Sequence, residues 1–342
     1  VVPGFNSKEL KANHRLAFKD AINTLVHSVI WLAIFPVWLL AKSPLQIHKK
    51  LVQALCECSD YFKELSEYKI QQIERDEKAA DGTMDLMGPL VKASENTEDS
   101  KDPYLTKQEV IANAWILLFA GHETSGSITH YSILWLAIEL SIQAQLQADI
   151  DDTVGERPWS TWTYENDLGR LYQSMIGAVI NETLRLLPPI IDIPKIVRET
   201  PQSITWDGKT VSVPPTTIIH LSAVAVHRNP RYWPHSPSKV SAKKHDLDDW
   251  VPERWFASSV SPEVSDDDGK TDPSSFETAP RKLLVPPKGA YVPFSEGRVR
   301  VPGNEITAVL AVLFKTHSVE LDVSTWASDE EVEAMSTRER RA

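Results

Sequence analysis

Cysteine is almost absent from this sequence of 342 residues, which has only Cys56 and Cys58. A single residue separates them, and this spacing matches neither a disulfide framework nor the usual pattern of zinc ligands. We therefore expect two free thiols, as is usual for a protein of a reducing compartment.

Positive charge is also in deficit. The chain has 36 Lys and Arg residues against 47 Asp and Glu residues, which gives a formal net charge of -11. Because nucleic-acid affinity comes largely from clustered cations that neutralise phosphates, this balance excludes a nucleic acid as a partner. At 42% hydrophobic and 24% charged residues, the composition is that of an ordinary globular protein with a sizeable core.

Long apolar runs are missing too. The most apolar stretch, residues 29–41, contains Pro36 and is shorter than the roughly 20 residues that span a bilayer. Val1–Lys19 is mixed and polar, so we expect no signal peptide or membrane anchor there. We predict that residues 29–41 form a buried core segment. The alternative is a hydrophobic patch that contacts a membrane surface through Trp31 and Trp38.

Helical periodicity dominates the first half of the chain. Apolar and charged residues alternate at helical spacing over residues 51–79. Thr106 followed by Glu109 is a capping box, and it predicts the start of a long helix that runs to about Leu140. Because this helix is apolar on nearly every side, we predict that it lies inside the protein.

The second half combines helices with short strands. One helix should end before Pro188, and residues 203–213 predict a hairpin around the tight turn Asp207–Gly208. The sequence therefore predicts a mainly α fold with a small β-sheet region. Ser, Asp and Pro predict an exposed insertion at residues 258–278, and charged residues predict a frayed tail at 329–342.

A polar group interrupts the long apolar helix. Gly121 costs such a helix about 1 kcal/mol relative to Ala, but it lets a flat ligand approach, while Glu123 and Thr124 can relay protons. The alternative is a structural kink with Thr124 bonded back to the preceding turn. Both interpretations stay open. The His122–Glu123 pair does not continue into a zinc-protease motif, because Gly126 stands where the second His belongs.

Two further features lie downstream. Glu182 and Arg185 are three residues apart and share one helix face, where such a pair is commonly only a solvated surface contact. After the V-H-R-N-P segment at 226–230, Arg254 stands among aromatic residues and prolines. It can either reach back to a buried carboxylate or belong to a surface loop.

The order of these features is more specific than any one of them. A-G-x-E-T-S, E-x-x-R, H-R-N-P and P-E-R-W follow one another here as they do in the cytochrome P450 family, which the chain resembles, most of all in fungal members. The resemblance runs from about Val29 to about Val323. It implies a single P450-like domain over residues 1–342 that corresponds to the C-terminal portion of the fold. It also implies that the family's membrane anchor and first helices would precede Val1.

The resemblance also implies a function and roles for individual residues. Family members are haem-dependent monooxygenases that oxidise small lipophilic substrates with dioxygen and electrons from an NADPH-dependent reductase, at the cytoplasmic face of the endoplasmic reticulum membrane. By resemblance, Glu123 and Thr124 are catalytic, and residues 191–196 face the substrate. The residues expected to contact the haem or leave room beside it are Gly121, Arg198, Phe294 and Gly297. The residues expected to form a buried structural triad are Glu182, Arg185 and Arg254.

The family's ligand loop, F-x-x-G-x-R-x-C-x-G, is incomplete in this chain. It begins with Phe294 and Gly297, but without gaps Val301 occupies the position of the iron-binding cysteine. In a second register, set by Glu305, about one helical turn of 3.6 residues is deleted. Neither register supplies the thiolate that favours O–O cleavage in this family.

We therefore expect weak haem retention and little or no oxygenation from this chain. Either a gene-model or splicing error has removed the cysteine, or the protein has lost it. The alternative function is a haem-free pseudoenzyme or ligand-binding module that retains the fold.

Overall fold

The computed structural model of the chain is mainly helical with two small antiparallel sheets, which confirms the predicted fold class. It describes residues 13–75, 87–94, 105–256, 282–294, 304–322 and 331. The chain forms two compact units, Val1–Glu123 and Thr124–Ala342.

Some predictions concern other parts of the chain. The insertion predicted at residues 258–278 lies outside the described residues, as does the tail predicted at 329–342 apart from Glu331. The single domain over residues 1–342 stays a prediction. Within the described ranges, every helix is too short or too polar to cross a membrane.

The first unit is built from helices, and the last of these continues into the second unit. In chain order they are α1 (Phe18–Ile34), α2 (Val37–Lys42), α3 (Gln46–Arg75), α4 (Met87–Lys92) and α5 (Lys107–Ile138). Ala21 and Leu25 of α1 pack with Leu51 and Ala54 of α3 in one buried cluster. Pro36 lies between α1 and α2, where a residue without an amide hydrogen is tolerated because the helix has not yet begun.

Residues 29–41 do not form the buried core segment that we predicted. Leu40 is buried, but Trp38 is 62% exposed and Ile34 is 60% exposed. The helical period explains the difference, because α1 and α2 bury one face each and turn their remaining apolar side chains outward. The structure therefore favours the alternative, an exposed hydrophobic patch.

The capping box predicted at the start of α5 is confirmed. The amide of Glu109 donates to Oγ1 of Thr106 over 3.2 Å, and the amide of Thr106 donates to Oε2 of Glu109 over 2.8 Å. The hydroxyl of Thr106 also donates to Oε2 of Glu109 over 2.8 Å, and the bonds that the amide and the hydroxyl of Thr106 donate lower the pKa of Glu109. The capping box satisfies two amides that the helix itself leaves without acceptors.

The prediction that α5 lies wholly inside the protein is wrong. Ile116 is 60% exposed and Leu117 is 44% exposed. Four of the apolar side chains that are buried share one face of the helix: Val110, Ala114, Ile128 and Leu136. Among the described residues, α5 is packed mainly along one side. Its apolar side chains lie on several sides, so some of them are exposed.

The second unit has shorter helices and four strands in its described residues. The helices are α6 (Leu140–Val154), α7 (Gly169–Tyr172), α8 (Met175–Leu186), α9 (Ala223–His227) and α10 (Asn304–Thr316). The strands are β1 (Asp192–Ile196), β2 (Gln202–Trp206), β3 (Lys209–Val213) and β4 (Ile218–Ser222). Two 3₁₀ turns, Trp159–Thr161 and Pro252–Phe256, and one π turn, Tyr164–Leu168, connect them.

The strands form two antiparallel pairs. β1 pairs with β4 in a register that sets Asp192 opposite Ser222, while β2 and β3 form the predicted hairpin. At its turn Asp207 and Gly208 have φ angles of 48° and 71°. Two positive φ angles match a type I′ turn, which suits the twist of the strands it joins and favours Asp-Gly.

The second unit is centred on α8, whose residues are all buried. Ser174 caps the helix by accepting the amide of Ile176 with its hydroxyl. The helix ends at Leu186, just before the two prolines, as predicted. Gly177 lets the backbone of Tyr172 approach, because a Cβ at position 177 would stand 1.8 Å from the Tyr172 carbonyl oxygen.

Candidate functional site

The E-x-x-R motif forms a buried ion pair on α8. Nε of Arg185 donates to Oε2 of Glu182, and Nη2 donates to Oε1, both over 2.8 Å. Both side chains are completely shielded from solvent. The two parallel bonds are the bidentate geometry that gives an arginine–carboxylate pair its strength and orientation.

Arg254 reaches the same carboxylate from the 3₁₀ turn Pro252–Phe256. Its Nε lies 3.4 Å from Oε1 of Glu182, and its Nη1 donates to Oδ1 of Asp246 over 3.0 Å. Trp255 of the same turn donates its indole N–H to Oε2 of Glu182 over 3.0 Å. The structure thus brings Glu182, Arg185 and Arg254 together in a buried cluster, here called the Glu182 network.

Several donors keep Glu182 ionised inside the protein. Burial alone would raise its pKa, but the charge and hydrogen bonds of Arg185, the charge of Arg254 and the amide of Val251 hold the pKa below its ordinary value. The Val251 amide donates to Oε1 over 3.0 Å. A buried carboxylate with this many donors is compensated for the loss of water.

The remaining donors of Arg185 reach backbone carbonyl groups. Nη1 donates to the carbonyl oxygens of His227 and Leu247, and Nη2 donates to that of Asp249 over 3.2 Å. The guanidinium carbon also lies 5.7 Å from the ring centroid of Trp233. Arg185 therefore connects α8 to the end of α9 and to the segment before the 3₁₀ turn.

His227, in the H-R-N-P motif, lies next to the Glu182 network. Its Nδ1 lies 3.1 Å from the carbonyl oxygen of Arg185, and its Nε2 accepts the amide of Val292 over 2.8 Å. Burial first, and then the charges of Arg185 and Arg228, lower the pKa of His227 to about 4. The imidazole is thus neutral at pH 7.

The motif residues of α5 lie in a different environment. Glu123 is exposed, while Gly121 and Thr124 are half-buried. Among the described residues, a Cβ added at Gly121 would meet no atom within 4 Å outside the helix's own backbone. That this space receives a ligand stays a prediction.

Two of the residues expected to contact the haem lie in the described part of the second unit. Arg198 is exposed two residues after β1, and Phe294 is half-buried against the core around α8. In the part of the chain that the structure describes, neither joins the Glu182 network. Gly297 and Val301 lie outside the described residues. In the segment expected to face a substrate, residues 191–196, Ile193 is buried and the other five residues are exposed.

Sequence reasoning missed some residues that contact the Glu182 network. Asp246 has no local signal, because its contact with Arg254 depends on how the loop of 231–250 folds. Trp255 lies inside the recognised P-E-R-W motif, but the local sequence does not indicate that its indole N–H donates to Glu182. His227 also lay inside a recognised motif, where the local sequence gave no indication of its backbone partners.

Comparisons with known proteins give the family. The family model for cytochrome P450 matches residues 4–255. Since this is well over half of the chain, the chain belongs to the cytochrome P450 family.

Individual relatives agree with this assignment. Cytochrome P450 monooxygenase 124 of Postia placenta is 28% identical over 73% of this chain and 47% of its own length. The phomenoic acid biosynthesis cluster cytochrome P450 monooxygenase of Leptosphaeria maculans is 28% identical over 92% of this chain and 53% of its own length. Human cytochrome P450 3A5 is 27% identical over 49% of this chain and 32% of its own. The chain spans about half the length of the fungal relatives.

The family implies a haem, whose iron takes a cysteine thiolate as its axial ligand. The two cysteines of this chain are both on α3. Burial and the neighbouring Glu57 raise the pKa of Cys58 to about 12, so it stays a neutral thiol, and Cys56 is on the exposed side of the helix. Residues 293–303, where the family has its ligand loop, contain no cysteine. The residues of this chain therefore do not fit a thiolate-ligated haem.

Proposed function

We propose that this chain derives from a haem-dependent monooxygenase of the P450 type that oxidises a small lipophilic molecule, and that it keeps the scaffold without the thiolate ligand. The Glu182 network carries the first part of the proposal. Its two arginines converge on one buried carboxylate from separate parts of the chain, in the order that the family motifs have. The absence of cysteine from residues 293–303 carries the second part.

The proposed site residues keep the roles that the resemblance implies. Gly121 would leave room beside α5, and Glu123 and Thr124 would handle protons there. Arg198, Phe294 and Gly297 stand at positions that would contact a haem in relatives that bind one. Glu182, Arg185 and Arg254 would have a structural role rather than a chemical one. An NADPH-dependent reductase and the cytoplasmic face of the endoplasmic reticulum membrane belong to the same proposal.

A carbon-monoxide difference spectrum tests the proposal. The chain is supplied with haem, reduced and exposed to carbon monoxide, next to a Val301→Cys variant. We expect no thiolate-type Soret band from the wild-type chain, and we expect the variant to gain one if the ungapped register is right. A thiolate-type band from the wild-type chain would contradict the proposal.

A second candidate function is a haem-free module that binds lipophilic ligands. The observation in its favour is that Glu182 and Arg185 find their hydrogen-bond partners among the described residues without a cofactor. This candidate predicts that the purified chain is folded without haem and binds a fluorescent fatty acid. A folded chain that does not bind the probe would count against it.

We also propose that residues 29–41 contact a membrane surface. The side chains of Ile30, Ile34 and Trp38 are each about 60% exposed, and Nζ of Lys42 lies 5.9 Å from the ring centroid of Trp38. Large exposed apolar patches of this kind mark interaction sites, and a tryptophan with a lysine beside it suits the headgroup region.

Vesicle flotation tests this contact. Vesicles of phosphatidylcholine and phosphatidylserine are mixed with the wild-type chain, with Trp38→Ser and with Trp159→Ser. Trp159 is the matched control because it is 66% exposed but belongs to the second unit. We expect Trp38→Ser alone to reduce the fraction of protein that floats. Equal flotation of all three proteins would contradict the proposal.

A further inference from the structure

The imidazole of His227 joins two backbone segments that are far apart in sequence. Nε2 accepts the amide hydrogen of Val292 over 2.8 Å, and Nδ1 lies 3.1 Å from the carbonyl oxygen of Arg185. Because an amide can only donate, Nε2 must carry no proton. Because a carbonyl oxygen can only accept, Nδ1 must carry one. The two backbone partners therefore fix both the neutral charge and the tautomer of the ring.

The Val292 amide begins the segment that leads to Phe294. The side chain of Val292 is buried with Ile193 of β1 and Ala223 of α9. Phe294, two residues on, is half-buried against the core around α8. The hydrogen bond from Val292 to His227 thus anchors this segment where it enters the part of the chain that corresponds to the family's ligand loop.

The surroundings of the ring disfavour its protonation. The charged and titratable groups that act on it are Arg185 on α8, Arg228 at the end of α9 and Tyr291 of the segment 282–294. Two carboxylates, Glu182 on α8 and Asp248 of the following loop, act on Arg228. Glu182 is bound by Arg185, and Asp248 is paired with Arg228. Within the described residues, neither ring nitrogen contacts a carboxylate. A proton added to this ring would be buried beside two guanidinium groups.

We infer that His227 is an acid-sensitive latch that positions Val292 and, through it, the segment up to Phe294. When Nε2 takes up a proton it becomes a donor, and it then faces the Val292 amide, which is also a donor. The hydrogen bond is lost, and the segment is released from α8 and α9. His227 acts here as a positioning residue. The latch concerns the anchoring of the backbone and does not depend on whether the chain binds haem.

Hydrogen exchange measured at different pH values tests the latch. The wild-type chain and His227→Gln are compared, since the glutamine oxygen can accept the Val292 amide but cannot be protonated in this range. A peptide that covers residues 284–294 reports release, and a peptide from α6 reports global unfolding. After correction for intrinsic exchange, we expect wild-type protection of the first peptide to fall about tenfold from about pH 7 to about pH 3, in line with a group whose pKa is near 4.

The glutamine variant should lose much less protection over the same range. The same pH dependence in wild type and variant, whether local or global, would overturn the inference. A second measurement needs no variant: ¹⁵N NMR of histidine-labelled wild-type protein should show His227 as the neutral tautomer with its proton on Nδ1. A tautomer protonated on Nε2, or a ring that titrates near the ordinary value of 6.5, would equally overturn it.

Discussion

Around Glu182 the charged groups are buried and hydrogen-bonded, whereas on α5 Glu123 is exposed and Gly121 borders open space. Both regions carry motifs of one family, but only the motif residues around Glu182 are buried. Donors from α8 and from the segment of residues 251–255 occupy both oxygens of the Glu182 carboxylate. These contacts connect the two parts of the chain without a ligand. The comparison shows that contacts within the described chain satisfy the Glu182 network, whereas the described residues leave open space beside Gly121.

The largest difference between the two regions should come from removing one carboxylate charge in each. Glu182→Gln leaves the buried cation of Arg185 without its counter-charge and leaves Arg254 with Asp246 alone, and we expect it to lower the free energy of unfolding by about 3–5 kcal/mol. Glu123→Gln, at an exposed position, should change it little. Urea denaturation followed by circular dichroism measures both. Similar effects of the two substitutions would contradict the claimed difference between the two carboxylates.

Alanine substitutions at two glycines compare how closely the same two regions are packed. Gly177→Ala would place a methyl group 1.8 Å from the carbonyl oxygen of Tyr172, so α8 or its neighbour must move. We expect a loss of about 3 kcal/mol in the free energy of unfolding. Gly121→Ala meets open space and should instead stabilise α5, by about 1 kcal/mol. Thermal denaturation of the two variants decides, and a stable Gly177→Ala protein would show that α8 is less closely packed than described.

The pH dependence of stability should reflect His227. The pKa of this residue is about 4 in the folded chain against an ordinary value of 6.5, so the folded state binds fewer protons between these values. Its contribution is complete above about pH 6.5 and is lost as the pH falls towards 4, about 3 kcal/mol in all. Urea denaturation of wild type and His227→Gln over this range isolates the contribution. Parallel curves would contradict the prediction.

The smallest expected effect lies at the start of α5. Thr106→Ala removes the hydroxyl that caps the helix, and we expect a loss of about 1 kcal/mol in stability. Glu109→Gln is the matched control, because glutamine also completes a capping box and should cost less. Denaturation curves followed by circular dichroism measure both variants. A larger loss for Glu109→Gln than for Thr106→Ala would contradict this account of the cap.

Local signals predicted the local structure well. The capping box of Thr106 and Glu109 and the Asp207–Gly208 turn involve residues within a few positions of each other, so the sequence alone specified their hydrogen bonds. Family resemblance grouped Glu182, Arg185 and Arg254 before their contacts were known, although spacing alone left Glu182 and Arg185 as a possible surface pair.

Predictions that depended on distant packing were less successful. Apolar composition suggested that α5 and residues 29–41 are buried, but composition does not show which neighbours exist to cover them, and Ile116 and Trp38 are exposed. The hydrogen bond from the Val292 amide to His227 joins residues 65 positions apart, and no local pattern predicts it. Such contacts follow from the tertiary fold.

Hydrogen exchange of the chain without haem compares the two regions most directly. We expect the amides of α8, Met175–Leu186, to exchange more slowly than those of residues 116–126 of α5, because every residue of α8 is buried, whereas the described side chains of residues 116–126 are half-buried or exposed. Slow exchange confined to α8 and the segments bonded to it would agree with a scaffold that is complete without a cofactor. Equal exchange in the two helices, or slower exchange in α5, would contradict that claim.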